Sequence, residues 1–197
     1  MRIPLSRFTW VLLPLSVPFI AAAEPQQSLT ASSLAQQSTL SRHDTGPLID
    51  RVRRATARYR DVNVAIAEGW APGTPCVSGP NEGAMGVHFL LKPTEPGNRL
   101  DDGELNPEEP EALIYEPLSN GALRFVGVEF IVKKADWEKK HKGPAVLDGH
   151  LTNYVGEPNR YGLPEFYELH VWAWEDNPEG TFADWNTRVT CNKQPAN

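Results

Sequence analysis

The stretch from Pro164 to Trp174 constrains the fold more than any other part of this sequence. It is almost entirely aromatic, aliphatic or ionisable, which predicts a β-strand whose side chains alternate between two faces. The alternation gives one face Tyr167, Leu169, Val171 and Ala173, which predicts packing in a core. It gives the other face Glu168, His170, Trp172 and Trp174. On that second face a carboxylate and an imidazole about 7 Å apart are able to converge on one ion or ligand.

The N-terminus predicts export. Residues 1–23 contain Arg2 and Arg7, then an apolar run ending at Ile20 and a stretch of alanines, which is the pattern of a cleavable signal peptide. The run is short and interrupted by prolines, and no later stretch is long and apolar enough, so we predict no membrane span in the mature protein. The alternative is an uncleaved N-terminal anchor. We expect a soluble protein in the periplasm or the extracellular space.

Composition predicts one domain with acidic character. The chain has 197 residues and a net charge of −6, and removal of the signal peptide makes the charge more negative. Nucleic-acid backbones repel such a protein, so we predict no nucleic-acid partner. Residues 24–44 are polar and predict a flexible leader, which leaves 45–197 as a single α+β domain. In an oxidising compartment Cys76 and Cys191 predict one disulfide, with two free thiols as the alternative.

The domain is predicted to begin with one long amphipathic helix. Apolar residues recur at spacings of three and four, at Leu48, Val52, Ala55, Tyr59, Val62 and Ile66. Pro47 suits the first turn, and Gly69 suits the end of the helix. The outer face carries several arginines between Arg51 and Arg60. They predict either a docking face for an acidic partner or a solvated face that pairs with the domain's own carboxylates.

The helix is expected to pack on a strongly curved antiparallel sheet of about five strands. Two of these strands form a hairpin at Asn120-Gly121, where a two-residue turn pairs Glu116 with Phe125, Ile114 with Gly127 and Ala112 with Glu129. Both glutamates then share a face but lie about 13 Å apart, too far to hold one ion. Glu129 is the better ligand because its strand is otherwise apolar. Glu116 lies beside the turn, where we expect water to solvate it.

Four ionisable residues inside apolar strands carry the predicted chemistry: His88, Glu129, Glu168 and His170. Two imidazoles with one or two carboxylates suit zinc, iron or manganese, with an open position for water or substrate. Gly86 and Gly127 precede two of these ligands on the same faces and are expected to leave room beside the site. The sequence has no nucleophile elbow and no phosphate-binding or dinucleotide fingerprint, so we predict no nucleotide cofactor.

Two other interpretations of these residues stay open. In one, the carboxylates hydrogen-bond the histidines and the core backbone, the glycines only mark bends, and the domain is a structural module. In the other, Trp172 and Trp174 line an aromatic pocket for a small ligand, and the protein is a non-enzymatic binding protein. The sequence does not decide whether the protein is an enzyme. If it is one, metal-activated water is the most economical mechanism.

Most of the mature domain resembles a family of uncharacterised exported bacterial proteins. The motifs that carry the resemblance are Gly-Ala-Met-Gly-Val-His at 83–88, Tyr-Glu-Pro at 115–117, Val-Glu-Phe at 128–130, Leu-His-Val-Trp at 169–172 and Phe-Ala-Asp-Trp-Asn at 182–186. The resemblance implies one secreted domain and no particular activity. Glu168 and His170 keep the family pattern, whereas Phe166 stands where the relatives carry a second histidine.

Overall fold

A computed structural model describes residues 46–92 and 98–193. The predicted signal peptide (1–23) and leader (24–44) lie outside the described residues. Within the described part, the chain is a mixed α/β fold with an antiparallel sheet and one disulfide. None of its helices has the length and hydropathy needed to cross a bilayer.

The predicted long helix is divided into shorter pieces. Helix α1 (Pro47–Thr56) is followed by a 3-10 turn (Ala57–Arg60) and helix α2 (Val62–Ala67). The hydroxyl of Thr56 donates to the carbonyl of Val52 at 2.7 Å, and the side chain of Asp61 caps α2. This interruption shifts the buried face, so that Ala65 is buried and Ile66, which we expected on that face, is 55% exposed.

A seven-stranded sheet forms the centre of the domain. Its strands are β1 (Trp70–Pro72), β2 (Val77–Ser78), β3 (Ala84–Leu91), β4 (Ala112–Pro117), β5 (Leu123–Lys133), β8 (Asn153–Val155) and β9 (Phe166–Val171). The order is β1-β3-β4-β5-β9-β8, β2 also pairs with β3, and all pairings are antiparallel. The predicted number of about five strands was too low because it omitted the short strands β1 and β2.

The remaining elements are short. Helix α3 (Lys134–Lys140) follows β5 directly, and a second 3-10 turn (Arg99–Asp101) precedes β4. Strands β6 (Val146–Leu147) and β7 (His150–Leu151) form a separate two-stranded sheet.

The β4–β5 hairpin has the predicted register near Glu129 but not near its turn. Ala112 pairs with Glu129 and Ile114 with Gly127, as predicted, whereas Glu116 pairs with Arg124. The turn holds one more residue than a two-residue loop, since the N–H of Leu118 bonds to the carbonyl of Ala122 at 2.8 Å. Between Ile114 and Tyr115 the register of the two strands shifts by one residue, which leaves one residue of β5 unpaired. This shift cancels the extra residue in the turn, so the pairing beyond Ile114 is the predicted one.

The two faces of the sheet have different partners. On one face α1 packs through Leu48, Ile49 and Val52 in a large apolar cluster that includes Phe130 and Leu169. The opposite face carries the four ionisable residues and is covered by loops. The predicted disulfide is confirmed: Cys76 and Cys191 are bonded with their Cα atoms 5.6 Å apart, which ties the β1–β2 region to the end of the described chain.

The arginines of the first helical segment pair mainly within the domain. Arg51 forms an ion pair with Asp148 at 2.9 Å, and Arg58 pairs with Glu68 at 3.0 Å. Arg53 donates to the carbonyl of Ala173 at 2.8 Å. These contacts favour the interpretation in which the basic face is paired by the domain's own groups.

Candidate metal centre

The register of the sheet brings three of the predicted ligands together. Glu129 on β5 pairs directly with His170 on β9, and His88 on β3 lies across β4 from them. His88 Nε2 is 3.2 Å and His170 Nε2 is 4.0 Å from Glu129 Oε2. All three residues offer ligand atoms within 4.8 Å of one another. Ligand atoms around a tetrahedral zinc ion lie about 3.4 Å apart, so small side-chain movements suffice to close this group on one ion.

Buried polar atoms in this cluster lack hydrogen-bond partners. They are Nε2 of His88, both ring nitrogens of His170 and Oε2 of Glu168. The 3.2 Å contact between His88 and Glu129 does not have hydrogen-bond geometry, although the two atoms are close. A buried unsatisfied polar group costs about 1–3 kcal/mol, so this many in one place requires an explanation.

Both imidazoles are held in the neutral form. Burial lowers the pKa of His88 from its usual 6.5 to about 4, although the charge of Glu168 opposes this shift. Burial, together with the charge of His88, lowers the pKa of His170 well below its usual value. The neutral imidazole is the form that ligates metals, so no proton has to leave either histidine before binding.

The carboxyl groups are shifted in the opposite direction. Burial raises the pKa of Glu129 to about 7. Burial, followed by the charge of Glu129 and a hydrogen bond to it, raises the pKa of Glu168 to about 10.

Glu168 belongs to a second, overlapping group. It forms a set of possible ligands with His170 and Asp184, again within 4.8 Å of one another. His170 is shared by the two groups. The prediction that Glu168 lies beside His88, Glu129 and His170 thus agrees with the structure in part: Glu168 contacts Glu129, but it is a possible ligand together with His170 and Asp184.

Asp184 is a site residue that the sequence did not reveal. It lies after β9, in the Phe-Ala-Asp-Trp-Asn segment, and its Oδ1 is 3.8 Å from Nδ1 of His170. The same oxygen accepts a hydrogen bond from Asn153 at 2.8 Å, and burial raises the pKa of the carboxyl. A carboxylate behind a histidine is the usual means of orienting a metal-ligating imidazole.

Thr74 lies next to Nδ1 of His88, just as Asp184 lies next to Nδ1 of His170. Its hydroxyl lies 3.2 Å from Nδ1 of His88 and also accepts the backbone N–H of His88 at 3.3 Å. When Nδ1–H donates to this hydroxyl, the lone pair of Nε2 faces Glu129. Neither Thr74 nor Asp184 lies in a strand with a readable alternation, so no periodic signal marks them.

The glycines next to the ligands have a structural role. A Cβ on Gly86, where φ is +108°, would lie 2.8 Å from the carbonyl oxygen of Tyr115. A Cβ on Gly127 would lie 2.7 Å from the carbonyl oxygen of Val171. These glycines permit close approach of neighbouring strands, and our expectation that they leave space for a ligand was wrong.

The two tryptophans do not share a face. Trp172 is 3% exposed, packs with Ile114 and Val126 and donates from Nε1 to the carbonyl of Ala183. Trp174 packs against the helix-side cluster and donates to Thr56 at 3.2 Å. The alternation ends because β9 stops at Val171, after which the chain bends. The predicted alternation, which put Trp172 and Trp174 on one face, was therefore wrong, and a pocket lined by either ring stays a prediction.

Two further carboxylates are buried outside the cluster. Glu116 is 5% exposed, not solvated, and is paired with Arg124 at 2.6 Å and with the N–H of Thr190 at 3.0 Å. It is not part of the groups that approach one another as possible ligands. Glu111, which the sequence did not single out, is 3% exposed and accepts the N–H of Ile131 at 2.8 Å.

A cavity of about 130 Å³ adjoins His88 and Glu129. Its other lining residues are Gly73, Thr74, Leu90, Leu100, Ile131, Tyr161, Leu163 and Phe166. Phe166 is thus an apolar wall of this cavity.

Comparisons with protein-family models, with curated proteins and with solved structures found no match for this chain. The resemblance to an exported bacterial family stays a prediction. Any proposal about function depends on the geometry of the site.

Proposed function

We propose that this protein binds one divalent transition metal ion, zinc, iron or manganese, through His88, Glu129 and His170, with Glu168 as a fourth ligand or as a base. The observation that carries the proposal is the convergence of buried imidazole nitrogens and a carboxylate oxygen, with the nitrogens lacking hydrogen-bond partners. Residues that lie inside a sheet and leave such atoms unsatisfied destabilise the fold unless something binds them.

The ligand chemistry supports a transition metal over calcium or magnesium. Imidazole nitrogen with carboxylate oxygen suits zinc, manganese and iron, whereas calcium and magnesium take oxygen ligands. The neutral state of both histidines favours binding. Thr74 lies within hydrogen-bond distance of His88, and Asp184 lies 3.8 Å from Nδ1 of His170, where a small movement would let it orient that ring.

The alternative is a non-enzymatic structural or small-ligand-binding module. The raised pKa values of Glu129 and Glu168 favour this alternative, because protonated carboxyl groups would leave the cluster neutral without an ion. In that case the neighbouring buried aromatic residues serve only packing. The two functions differ in one measurable property, which is metal content.

If the protein is an enzyme, the metal would supply Lewis acidity and lower the pKa of a bound water. Glu168, with an unpartnered oxygen beside the cluster, would hold and release the proton. His88 and Glu129 line the cavity through which water and substrate would arrive.

The test is metal content measured by mass spectrometry on protein purified without chelator, followed by titration of metal-free protein with zinc, manganese or ferrous iron. We expect about one ion per chain and a rise in melting temperature on reconstitution. Glu129→Gln is expected to reduce the affinity strongly. Glu111→Gln is the matched control, since Glu111 is equally buried but lies outside the ligand groups. Absence of bound metal together with absence of any thermal shift would refute the proposal.

We also propose that the protein is exported to the bacterial periplasm or the extracellular space. The disulfide between Cys76 and Cys191 supports this, because such bonds persist in oxidising compartments. Cell fractionation and N-terminal sequencing test it. A mature chain that retains residues 1–23 in the cytoplasm would contradict it.

A further inference from the structure

The cavity beside the cluster has one polar end and apolar walls. His88 and Glu129 form the polar end, and both are buried. The walls are mainly aliphatic and aromatic, from Leu90, Leu100, Ile131, Leu163 and Phe166. Gly73 is exposed, while Leu100 and Leu163 are partly exposed, so these residues mark the side open to solvent.

The arrangement determines where a ligand would meet the metal. His170 is fully buried and is not among the lining residues, so it lies behind the other two ligands as seen from the cavity. An ion held by all three residues would have its remaining coordination positions directed toward the cavity. His88, whose Nε2 has no hydrogen-bond partner, is one of the lining residues of this cavity.

Tyr161 adds a hydrogen-bond donor to this end of the cavity. Its hydroxyl is 3.3 Å from Sδ of Met85, and a thioether is a weak acceptor. Tyr161 is also a lining residue of the cavity, together with His88 and Glu129. The hydroxyl is therefore available to donate to an anionic ligand atom.

We propose that the cavity binds a small monocarboxylate with a compact apolar body. One carboxylate oxygen ligates the metal, the other accepts a hydrogen bond from Tyr161, and the apolar part packs against Leu90, Ile131 and Leu163. This inference rests on the proposed metal site. In the described part of the chain, the cavity lining includes no lysine or arginine that could pair with the carboxylate of the ligand, so binding requires the metal.

The volume limits the length of the ligand. A cavity of about 150 Å³ lined by Leu, Ile and Phe accommodates benzene, so a cavity of this size accepts a body of roughly three to six carbons. Butyrate is the probe that fits this estimate. Decanoate is too long, and acetate has too little apolar surface to use the walls.

The experiment uses the mature protein. Its cobalt(II) form is titrated with butyrate, because the visible spectrum of cobalt reports changes in coordination, and its zinc form is titrated with butyrate by calorimetry. We expect a saturable spectral change and heat of binding. Acetate is expected to bind about 15-fold more weakly, from about fourfold for each buried methylene. Metal content is measured on every sample.

Three variants locate the ligand. Tyr161→Phe is expected to weaken butyrate binding about tenfold while leaving metal content unchanged. Leu163→Trp, which fills the cavity, is expected to weaken it by more than tenfold. Tyr154→Phe is the matched control, because the hydroxyl of Tyr154 is exposed and bonds to Glu165.

The outcomes separate the two proposals. Metal-loaded protein that shows neither a spectral change nor heat with butyrate would overturn the carboxylate site and leave the metal site standing. Equal affinity for acetate and butyrate, or unchanged binding in Leu163→Trp, would also overturn it. Failure to bind metal at all would remove both proposals together.

Discussion

Replacing Glu111 by glutamine is expected to make the stability of this protein less dependent on pH. Glu111 is 3% exposed, and burial raises the pKa of its carboxyl well above the usual 4.5. The folded protein therefore holds a proton on Glu111 more tightly than the unfolded chain does. Its contribution to stability is complete below pH about 4.5 and decreases as the pH rises toward the folded-state pKa.

The magnitude follows from the uptake of one proton. Over the range in which only the folded state binds that proton, the free energy of unfolding falls by about 1.4 kcal/mol per pH unit. The loss continues with rising pH until the folded-state pKa of Glu111 is reached. Glutamine does not ionise, and its side-chain oxygen still accepts the N–H of Ile131. The variant should therefore gain stability relative to the wild type as the pH rises.

Urea unfolding of the metal-free, disulfide-bonded protein at pH 5, 6 and 7 measures this difference. The site carboxyl groups contribute equally to both proteins, so the difference between the two curves isolates Glu111. Glu179→Gln, at an exposed position, is the control and should run parallel to the wild type. If the Glu111→Gln and wild-type curves also run parallel, the carboxyl is hydrated in the folded protein and the reasoning is wrong.

Three other substitutions are expected to have defined effects. Asp184→Asn should lower metal affinity about 10- to 100-fold without changing stoichiometry, because His170 loses the carboxylate that lies 3.8 Å from its Nδ1. Wild-type affinity in a metal titration would contradict this. Gly127→Ala should destabilise the fold by about 2 kcal/mol or more and weaken metal binding, since its Cβ would collide with the carbonyl of Val171. Changing both cysteines of the disulfide to alanine should cost up to about 4–5 kcal/mol in urea unfolding, with an unchanged midpoint as the contrary result.

Part of the fold could be predicted because its signals are local. Pro47 and Gly69 mark the ends of the helical region, and Asn120-Gly121 marks the hairpin. The predicted pairing of Ala112 with Glu129 was correct, whereas the predicted two-residue turn was wrong. The extra residue in the turn and the unpaired residue in β5 each shift the register by one residue, and the two shifts cancel. The break at Thr56 was missed because it depends on a side-chain hydrogen bond and not on hydrophobic spacing.

The candidate site was only partly predictable because some of its residues lie in strands and others lie in loops. His88, Glu129, Glu168 and His170 interrupt apolar strands, and burial of an ionisable group in such a strand is visible in the sequence. Asp184, Thr74 and Tyr161 lie in loops without periodicity, so only the tertiary structure brings them to the cluster. The separation of Trp172 from Trp174 likewise depends on where β9 ends.

The sheet separates the apolar helix-side cluster from the candidate metal cluster. The helix-side face buries apolar residues, whereas the other face holds groups whose unsatisfied atoms weaken the fold. Substitutions more than about 7–10 Å apart usually act additively. Repacking the helix side, for instance around Leu48 and Val52, would therefore provide a thermostable host in which ligand-deleting variants of the opposite face remain folded and measurable.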